Sequence, residues 1–375
     1  MYVTPRPDAD EDPNYGIRLG LTAALAFAAI PILDPAMPAI VAALPVGLIA
    51  GQRKAFSLAK AIAGPLTMIV IAWLMAWLVL WLRPLPLVFV GVMWLLYFAG
   101  FLMILRTGAQ TGMLIVVVTV LMSVMGMHGP DAVANLRDGF VQASLVALVI
   151  APIVYFLVPP HTRAVHVDDP SPDGGHSLVG AMIRASVLLV LSFWLYSVMQ
   201  PADMMMAVIA AMVMVFPSRE AVYSEARQRV LATVYGGALA LGVLALFTLS
   251  SHLTILLGLI FLAGLLLGQG MLYGRHPSMV YQYALSVTLA LVAGALSTQE
   301  PGYATFTRLA LTVTGALTAA FAVAWLDSVT SWRALARSEP YGGGSNQAGP
   351  PSIEFERPDG APLSGAKSTN LADSN

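Results

Sequence analysis

Residues 61–82 read AIAGPLTMIVIAWLMAWLVLWL, an unbroken run that carries no charged side chain. As an α-helix, which rises about 1.5 Å per residue, this run is long enough to cross a hydrocarbon core about 30 Å thick. A transmembrane β-strand would instead alternate polar and apolar side chains over about ten residues. The stretch therefore predicts a membrane-spanning α-helix.

Similar apolar runs recur between residues 17 and 326. The chain of 375 residues is 58% hydrophobic and 10% charged, whereas a soluble domain carries about 25% charged residues. The N-terminus lacks the basic segment and the cleavage site of a signal peptide, so we expect the first apolar run to be retained. The pattern predicts an all-α polytopic membrane protein of about twelve transmembrane helices.

Breaks in the apolar pattern divide the predicted helices into two blocks of six, residues 17–158 and 181–328. Residues 1–16 and 329–375 are predicted cytoplasmic tails, the second disordered, and 159–180 is a polar linker. The predicted helices span 17–33, 36–51, 61–82, 86–105, 111–127, 139–158, 181–199, 204–217, 230–250, 252–272, 279–297 and 305–326.

The two blocks are related in sequence. Shifted by 166 positions, Arg18 aligns with Arg184 and Pro35 aligns with Pro201. Because each block has an even number of helices, the predicted repeats are parallel and related by an axis along the membrane normal. We expect a translocation path at the seam between them.

Lysine and arginine residues concentrate on one predicted side of the membrane. By the positive-inside rule this side is cytoplasmic, which places both termini on the cytoplasmic side of a bacterial inner membrane. The opposite side carries Arg83, Arg137 and Arg308. The cytoplasmic cations are Arg53, Lys54, Lys60, Arg106, Arg163, Arg219, Arg227, Arg229, Arg275, Arg333 and Arg337.

Missing residues and motifs exclude several functional classes. The chain has no cysteine, which excludes disulfides and thiolate metal sites. Phosphate-loop, HExxH and GxSxG signatures are absent, and a formal net charge of −1 offers no basic surface to nucleic acid. We therefore expect no enzyme activity, no catalytic residue, no metal and no cofactor. Active transport would need an ion gradient or another subunit.

Arginines occupy equivalent positions in the two blocks. Arg18 and Arg184 begin the first helix of each block, and Arg53 and Arg219 follow the second. As interface anchors, these side chains would extend to the membrane surface. As a functional group, they would line the entrance of an anion path, since a guanidinium binds a carboxylate through two hydrogen bonds. The candidate substrate-binding residues are Arg18, Arg184, Arg53, Arg219, Lys60, Arg229 and Gln282.

Gln282 is a candidate because it lies among polar aromatic residues in the later spans, with Tyr281, Tyr283 and Tyr235. Such side chains offer hydrogen bonds and ring stacking to an aromatic substrate. Packing between helices explains them equally well, and both interpretations stay open.

Two acidic residues, Asp34 and Asp203, lie at matching predicted hairpins near the outer face. A helix-ending turn capped by aspartate explains both positions. Ionisable groups near the membrane interior are costly and often functional, which makes both residues candidates for proton coupling. Asp34 is favoured because Pro31 and Pro35 would break the helix around it.

Residues 226–237 read ARQRVLATVYGG. This stretch resembles the Arg-x-x-Gly-Thr-x-x-Gly signature of the fusaric acid resistance family of membrane exporters, with Arg229, Thr233 and Gly236 on the motif and Ala232 in place of a glycine. The counterpart in the first block starts at Lys60. Without large soluble domains, the chain looks like a compact branch of that family, known only as a domain of unknown function.

The resemblance implies gradient-driven efflux of aromatic or other weak organic acids, together with a periplasmic membrane-fusion subunit of the HlyD type. Plant malate channels are similar at a distance, which keeps a passive organic-anion channel open as an alternative. A third interpretation is a non-transporting membrane scaffold. Assembly into a homo-oligomer is open under each of them.

Overall fold

The protein is described by a computed structural model in which ten α-helices and no strand are found among the described residues. Those residues are 12–50, 56–107, 110–161, 177–198 and 219–296, with Phe321 and Trp325. The helices are α1 (Tyr15–Leu33), α2 (Pro38–Ala50), α3 (Leu58–Leu82), α4 (Pro86–Thr107), α5 (Gln110–His128), α6 (Pro130–Leu157), α7 (Ser177–Val198), α8 (Arg219–Leu249), α9 (Leu253–Tyr273) and α10 (Ser278–Leu296).

Nine of the ten described helices are long and apolar enough to cross a membrane, and α2, with 13 residues, is shorter. The prediction of an all-α, multi-pass membrane protein is therefore confirmed. The predicted span 204–217 and nearly all of 305–326 lie outside the described residues, as does the tail 329–375. The count of twelve and the two-block division stay predictions.

Three helices begin four or more residues earlier than the sequence pattern indicated. The helix α6 begins at Pro130 and not at 139, α7 begins at Ser177 and not at 181, and α8 begins at Arg219 and not at 230. The added residues 177–180 of α7 carry no charge. The added residues of α6 and α8 include charged side chains, which are typical of loops in a membrane protein, but a helix end carries them where they are paired. On α6, for example, Arg137 is ion-paired with Asp138 and its guanidinium lies 4.3 Å from the centre of the Trp73 ring.

The helices run between two ends of a bundle. The near end, where α1 begins, carries Tyr15, whose hydroxyl donates to the carbonyl of Ala50 at 3.2 Å. The far end, where α1 ends, carries Asp34 and the contact between His128 and Tyr196, whose ring centroids are 5.0 Å apart. The α9–α10 connection lies at the near end, because Tyr15 also contacts the sulfur of Met271.

Small residues allow α1 and α9 to cross at close range. A Cβ on Gly264 would lie 2.6 Å from the Cα of Gly20, and a Cβ on Gly268 would lie 2.7 Å from the Cα of Gly16. These two Gly-x-x-x-Gly pairs face each other, as is usual where membrane helices pack closely.

The packing of α1 on α9 has a counterpart elsewhere in the bundle, where α7 packs against α4. The first helix of each predicted block thus contacts the fourth helix of the other. A two-fold repeat would produce such a reciprocal contact, and the repeat arrangement itself stays a prediction.

Three groups of buried apolar residues form the interior. One lies mainly between α3, α4, α5, α6 and α7, a second between α1, α2, α8, α9 and α10, and a third between α1, α2 and α6. Outward faces are apolar as well. On α3, for example, Trp73, Trp77 and Trp81 are all more than half exposed, and the last two stack with ring centroids 5.7 Å apart. Apolar side chains on both faces are the expected pattern for helices surrounded by lipid.

Candidate functional site

Arg18 lies in the first turn of α1 and is enclosed by protein at the near end. Its guanidinium is ion-paired with the carboxylate of Asp12, and both side chains are 1% exposed. The same group lies 5.0 Å from the centre of the Tyr155 ring and donates to the carbonyl of Val158 at 3.5 Å. The side chain does not extend to a membrane surface, so the interface-anchor interpretation is wrong for Arg18.

The partners of Arg18 join three parts of the chain at the near end. Asp12 precedes α1, and Tyr155 with Val158 belongs to the end of α6. The Tyr155 ring also contacts Phe56, in the segment before α3, at 5.0 Å between centroids. The charge of Arg18 is therefore already compensated within the protein, and its role in substrate binding stays a prediction.

Arg184, the sequence counterpart of Arg18, lies in the second turn of α7 and is fully buried. Its guanidinium donates to the carbonyl of Gly180 at 3.1 Å. Its neighbours on the helix, Ala181 and Ala185, pack into the interior between α3, α4, α5 and α7. The interface-anchor interpretation is wrong for this residue too.

Several predicted site residues are not fully described. Arg53 and Asp203 lie outside the described residues. Lys60, in the first turn of α3, and Arg219, the first residue of α8, are described by their backbone only. Their roles stay predictions.

Asp34 ends α1 at the far end. It adopts a left-handed conformation with φ 42° and ψ 56°, and its backbone N–H donates to the carbonyl of Ile30 at 2.9 Å. The predicted helix-ending turn is therefore present at this position. The side chain is exposed, so the helices do not enclose its carboxylate. Its role in proton coupling stays a prediction.

The motif residue Arg229 forms a buried cluster on α8. Its Nε donates to the Glu225 carboxylate at 2.9 Å, and its guanidinium carbon lies 3.2 Å from the centre of the Tyr283 ring of α10. Arg229 is 7% and Glu225 is 3% exposed. Glu225 is not among the residues predicted from the sequence, although a glutamate four residues before an arginine is a recognisable helix pair.

The other two motif residues bring α8 and α10 together. The Thr233 hydroxyl donates to the carbonyl of Arg229 at 2.8 Å, which satisfies a buried hydroxyl. A Cβ on Gly236 would lie 2.5 Å from the carbonyl oxygen of Ala284, and the Thr288 hydroxyl donates to the Gly236 carbonyl at 3.1 Å. The motif therefore lies along one face of α8, where it packs on α10.

A ring cluster of Tyr235, His276 and Tyr281 lies at the near end of the same helices. The Tyr235 hydroxyl is 3.2 Å from Nε2 of His276, and the ring centroids of His276 and Tyr281 are 6.3 Å apart. The His276 backbone N–H contacts the Tyr281 hydroxyl at 3.4 Å. Tyr235 is 42% exposed, and the neighbouring Arg275 is exposed too. The cluster therefore offers rings and a nearby cation at an accessible surface.

Gln282 lies on α10 between Tyr281 and Tyr283 and is partly buried. Because Tyr281 faces Gly270 of α9 and Tyr283 faces Arg229 of α8, the two tyrosines lie on different sides of α10. The sequence analysis grouped these tyrosines but did not include His276, which precedes α10 in the connecting loop.

Residues 190–322 match the family model described as "Fusaric acid resistance protein-like". The match contains all of α8, α9 and α10, and with them the Arg229 motif and the ring cluster. No curated protein and no solved structure matches the chain. The family match indicates a transporter-like membrane protein. Residues 190–322 of this multi-pass membrane protein thus resemble fusaric acid resistance proteins, as the Arg229 motif predicted.

Proposed function

We propose that the protein is an inner-membrane efflux transporter that exports aromatic or other weak organic acids from the cytoplasm. The proposal places the near end and both termini in the cytoplasm, in agreement with the distribution of lysine and arginine. The transported molecule would carry one aromatic ring and one carboxylate.

The observation that carries this proposal is the arrangement of cations and rings at the near end of α8 and α10. The Arg229 guanidinium on Tyr283 and the accessible Tyr235, which contacts His276, lie within two turns of each other along these helices, and Tyr283 and the Tyr281 of the ring cluster lie on different sides of α10. A carboxylate binds a guanidinium through charge-assisted hydrogen bonds, and an aromatic ring stacks on tyrosine and histidine rings. A partner for the carboxylate and a partner for the ring of an aromatic acid are therefore both present in this part of α8 and α10.

The driving force for export follows from the charge of the substrate. An anion leaving the cytoplasm moves with the membrane potential, which contributes about 2.3 kcal/mol per charge for each 100 mV. Proton coupling through Asp34 or Asp203 is a further part of the prediction. The periplasmic membrane-fusion subunit rests on the family resemblance alone.

The proposal is tested by flux of radiolabelled 4-hydroxybenzoate in proteoliposomes at a pH where the acid is ionised, with empty liposomes as the baseline. One set carries an imposed potassium diffusion potential, a second carries a proton gradient, and a third carries neither. We expect flux above baseline that increases with the imposed gradient. Flux that responds to the anion concentration and to the potassium diffusion potential but not to the proton gradient would establish the passive channel, and flux no greater than in empty liposomes would reject transport of this class.

The site is tested in the same assay with Tyr235→Ala, which removes a ring from the ring cluster. Tyr273→Ala is the matched control, because Tyr273 is a tyrosine at the near end that is 69% exposed. We expect Tyr235→Ala to raise the KM for 4-hydroxybenzoate and Tyr273→Ala to leave it unchanged. Equal KM values in all three proteins would remove the ring cluster from the transport path.

A further inference from the structure

Glu225 is unusual because it is an acidic side chain buried within a membrane-spanning helix. Among the described residues, the buried acidic side chains are Asp12 and Glu225. Asp12 precedes α1, whereas Glu225 lies in the part of α8 that is apolar enough to span a membrane. Buried carboxylates are costly unless they are paired, and Glu225 is paired with Arg229 at 2.9 Å.

The Glu225 carboxylate occupies the place where a second carboxylate would bind. It receives the Nε donor of Arg229, while the Tyr283 ring covers the guanidinium at 3.2 Å from its carbon atom. Glu225 also interacts with the Tyr283 side chain. An anion that binds Arg229 in this position therefore has to compete with Glu225.

We propose that Glu225 is an internal substitute for the carboxylate of the transported acid. This inference rests on the proposed function. Without substrate, Glu225 neutralises the buried guanidinium of Arg229. When an aromatic carboxylate arrives, its oxygens replace those of Glu225 on Arg229, and Tyr283 remains against the guanidinium. The displaced Glu225 lies about one turn closer than Arg229 to the start of α8.

This exchange explains how a binding site can be selective for anions and stable when empty. An unpaired guanidinium in a low-dielectric interior would destabilise the empty protein, and Glu225 removes that cost. A neutral molecule of the same shape cannot displace the carboxylate, because it would leave Arg229 without a counter-charge. The alternative is an ion pair that only holds α8 and α10 in place.

The two explanations differ in the effect of Glu225→Gln, which removes the competing charge and keeps the shape. We would measure binding of radiolabelled benzoate, and of benzamide as its neutral analogue, by equilibrium dialysis of the full-length protein in nanodiscs. The internal substitute predicts that Glu225→Gln lowers the Kd for benzoate about tenfold or more and leaves benzamide binding unchanged.

Asp138→Asn is the matched control. Asp138 is also ion-paired with an arginine that lies over an aromatic ring, Arg137 over Trp73, but this pair is partly exposed and lies outside the region that matches the family. The Asp138→Asn variant should bind benzoate with the same Kd as the unaltered protein. A similar gain in Asp138→Asn would mean that any unpaired arginine attracts benzoate, which would overturn the proposal.

A Kd for benzoate that is unchanged or higher in Glu225→Gln overturns the inference as well. If Glu225→Gln is unstable, its melting temperature is measured with benzoate and with benzamide. If benzoate raises the melting temperature of Glu225→Gln and benzamide does not, the result supports the role of Glu225 as an internal substitute, because benzoate then supplies the missing negative charge. If benzoate and benzamide change the melting temperature equally, or if Glu225→Gln does not fold with either of them, the ion pair of Glu225 and Arg229 is structural.

The flux assay separates this inference from the proposed function. Tighter benzoate binding in Glu225→Gln with no flux in the unaltered protein would support the anion site and reject the transporter. Flux in the unaltered protein, together with an unchanged Kd for benzoate in Glu225→Gln, would support the transporter and reject the anion site at Glu225.

Discussion

The guanidinium of Arg18 and the carboxylate of Asp12 form an ion pair in which each side chain is only 1% exposed. The pair lies against Tyr155, so it fastens the segment before α1 to the end of α6. Because a buried charge without its partner is strongly destabilising, the two residues depend on each other.

We expect Arg18→Ala and Asp12→Ala each to lower the free energy of unfolding by about 3–5 kcal/mol, since each leaves one buried charge unpaired. The double variant should lose much less than the sum, because no charge is then left without a partner. Unfolding in detergent, monitored by circular dichroism, measures the free energy of unfolding of the two single variants and of the double variant. Additive losses would show that the two side chains are not coupled.

Adjacent glycines of α8 give a sharp test of the motif. A Cβ on Gly236 would lie 2.9 Å from the Cβ of Val287, whereas a Cβ on Gly237 would have no atom within 4 Å. Gly236→Ala should therefore lower stability by about 1–3 kcal/mol through overpacking. Gly237→Ala should be neutral or stabilising by up to about 1 kcal/mol, since alanine favours a helix. Melting temperatures of the two purified variants decide this, and equal values would contradict the close packing of α8 on α10.

The crossing of α1 and α9 is tested by a second pair of glycines on one helix. Gly264→Ala should separate α1 from α9, because its Cβ would meet Gly20, and should cost about 1–3 kcal/mol. Gly258→Ala is the control, because a Cβ there would point into open space. Thermal unfolding in the same detergent is the measurement. A loss of stability in Gly258→Ala as large as in Gly264→Ala would reject the crossing.

The orientation in the membrane is open to cysteine labelling, because the chain contains no cysteine. Ala36→Cys, an exposed position at the far end, should react with a membrane-impermeant maleimide in intact spheroplasts. His161→Cys, an exposed position at the near end, should react only after the membrane is opened. Labelling in the reverse order would invert the proposed topology and with it the direction of transport.

The existence of the described helices follows from the sequence, but some of their ends do not. The uncharged run Ala61–Leu82 predicts its helix well, and the structure extends that helix only to Leu58 at one end. The start of α8 was predicted eleven residues too late, at 230 instead of Arg219. Its first turns carry charged residues such as Glu225 and Arg229. In a membrane protein such charges indicate a loop when they are considered singly, and only the structure shows that the two are paired within a helix.

The sequence by itself determined that this chain lies in a membrane as α-helices and that its second half carries a fusaric acid resistance-like motif. These properties are local, because apolar runs and short motifs can be read without knowing their neighbours. Only the tertiary structure decided that Arg18 and Arg229 are buried and paired, because their aromatic partners, Tyr155 and Tyr283, lie on other helices. The physical reason is that the cost of burying a charge depends on which groups the fold places around it.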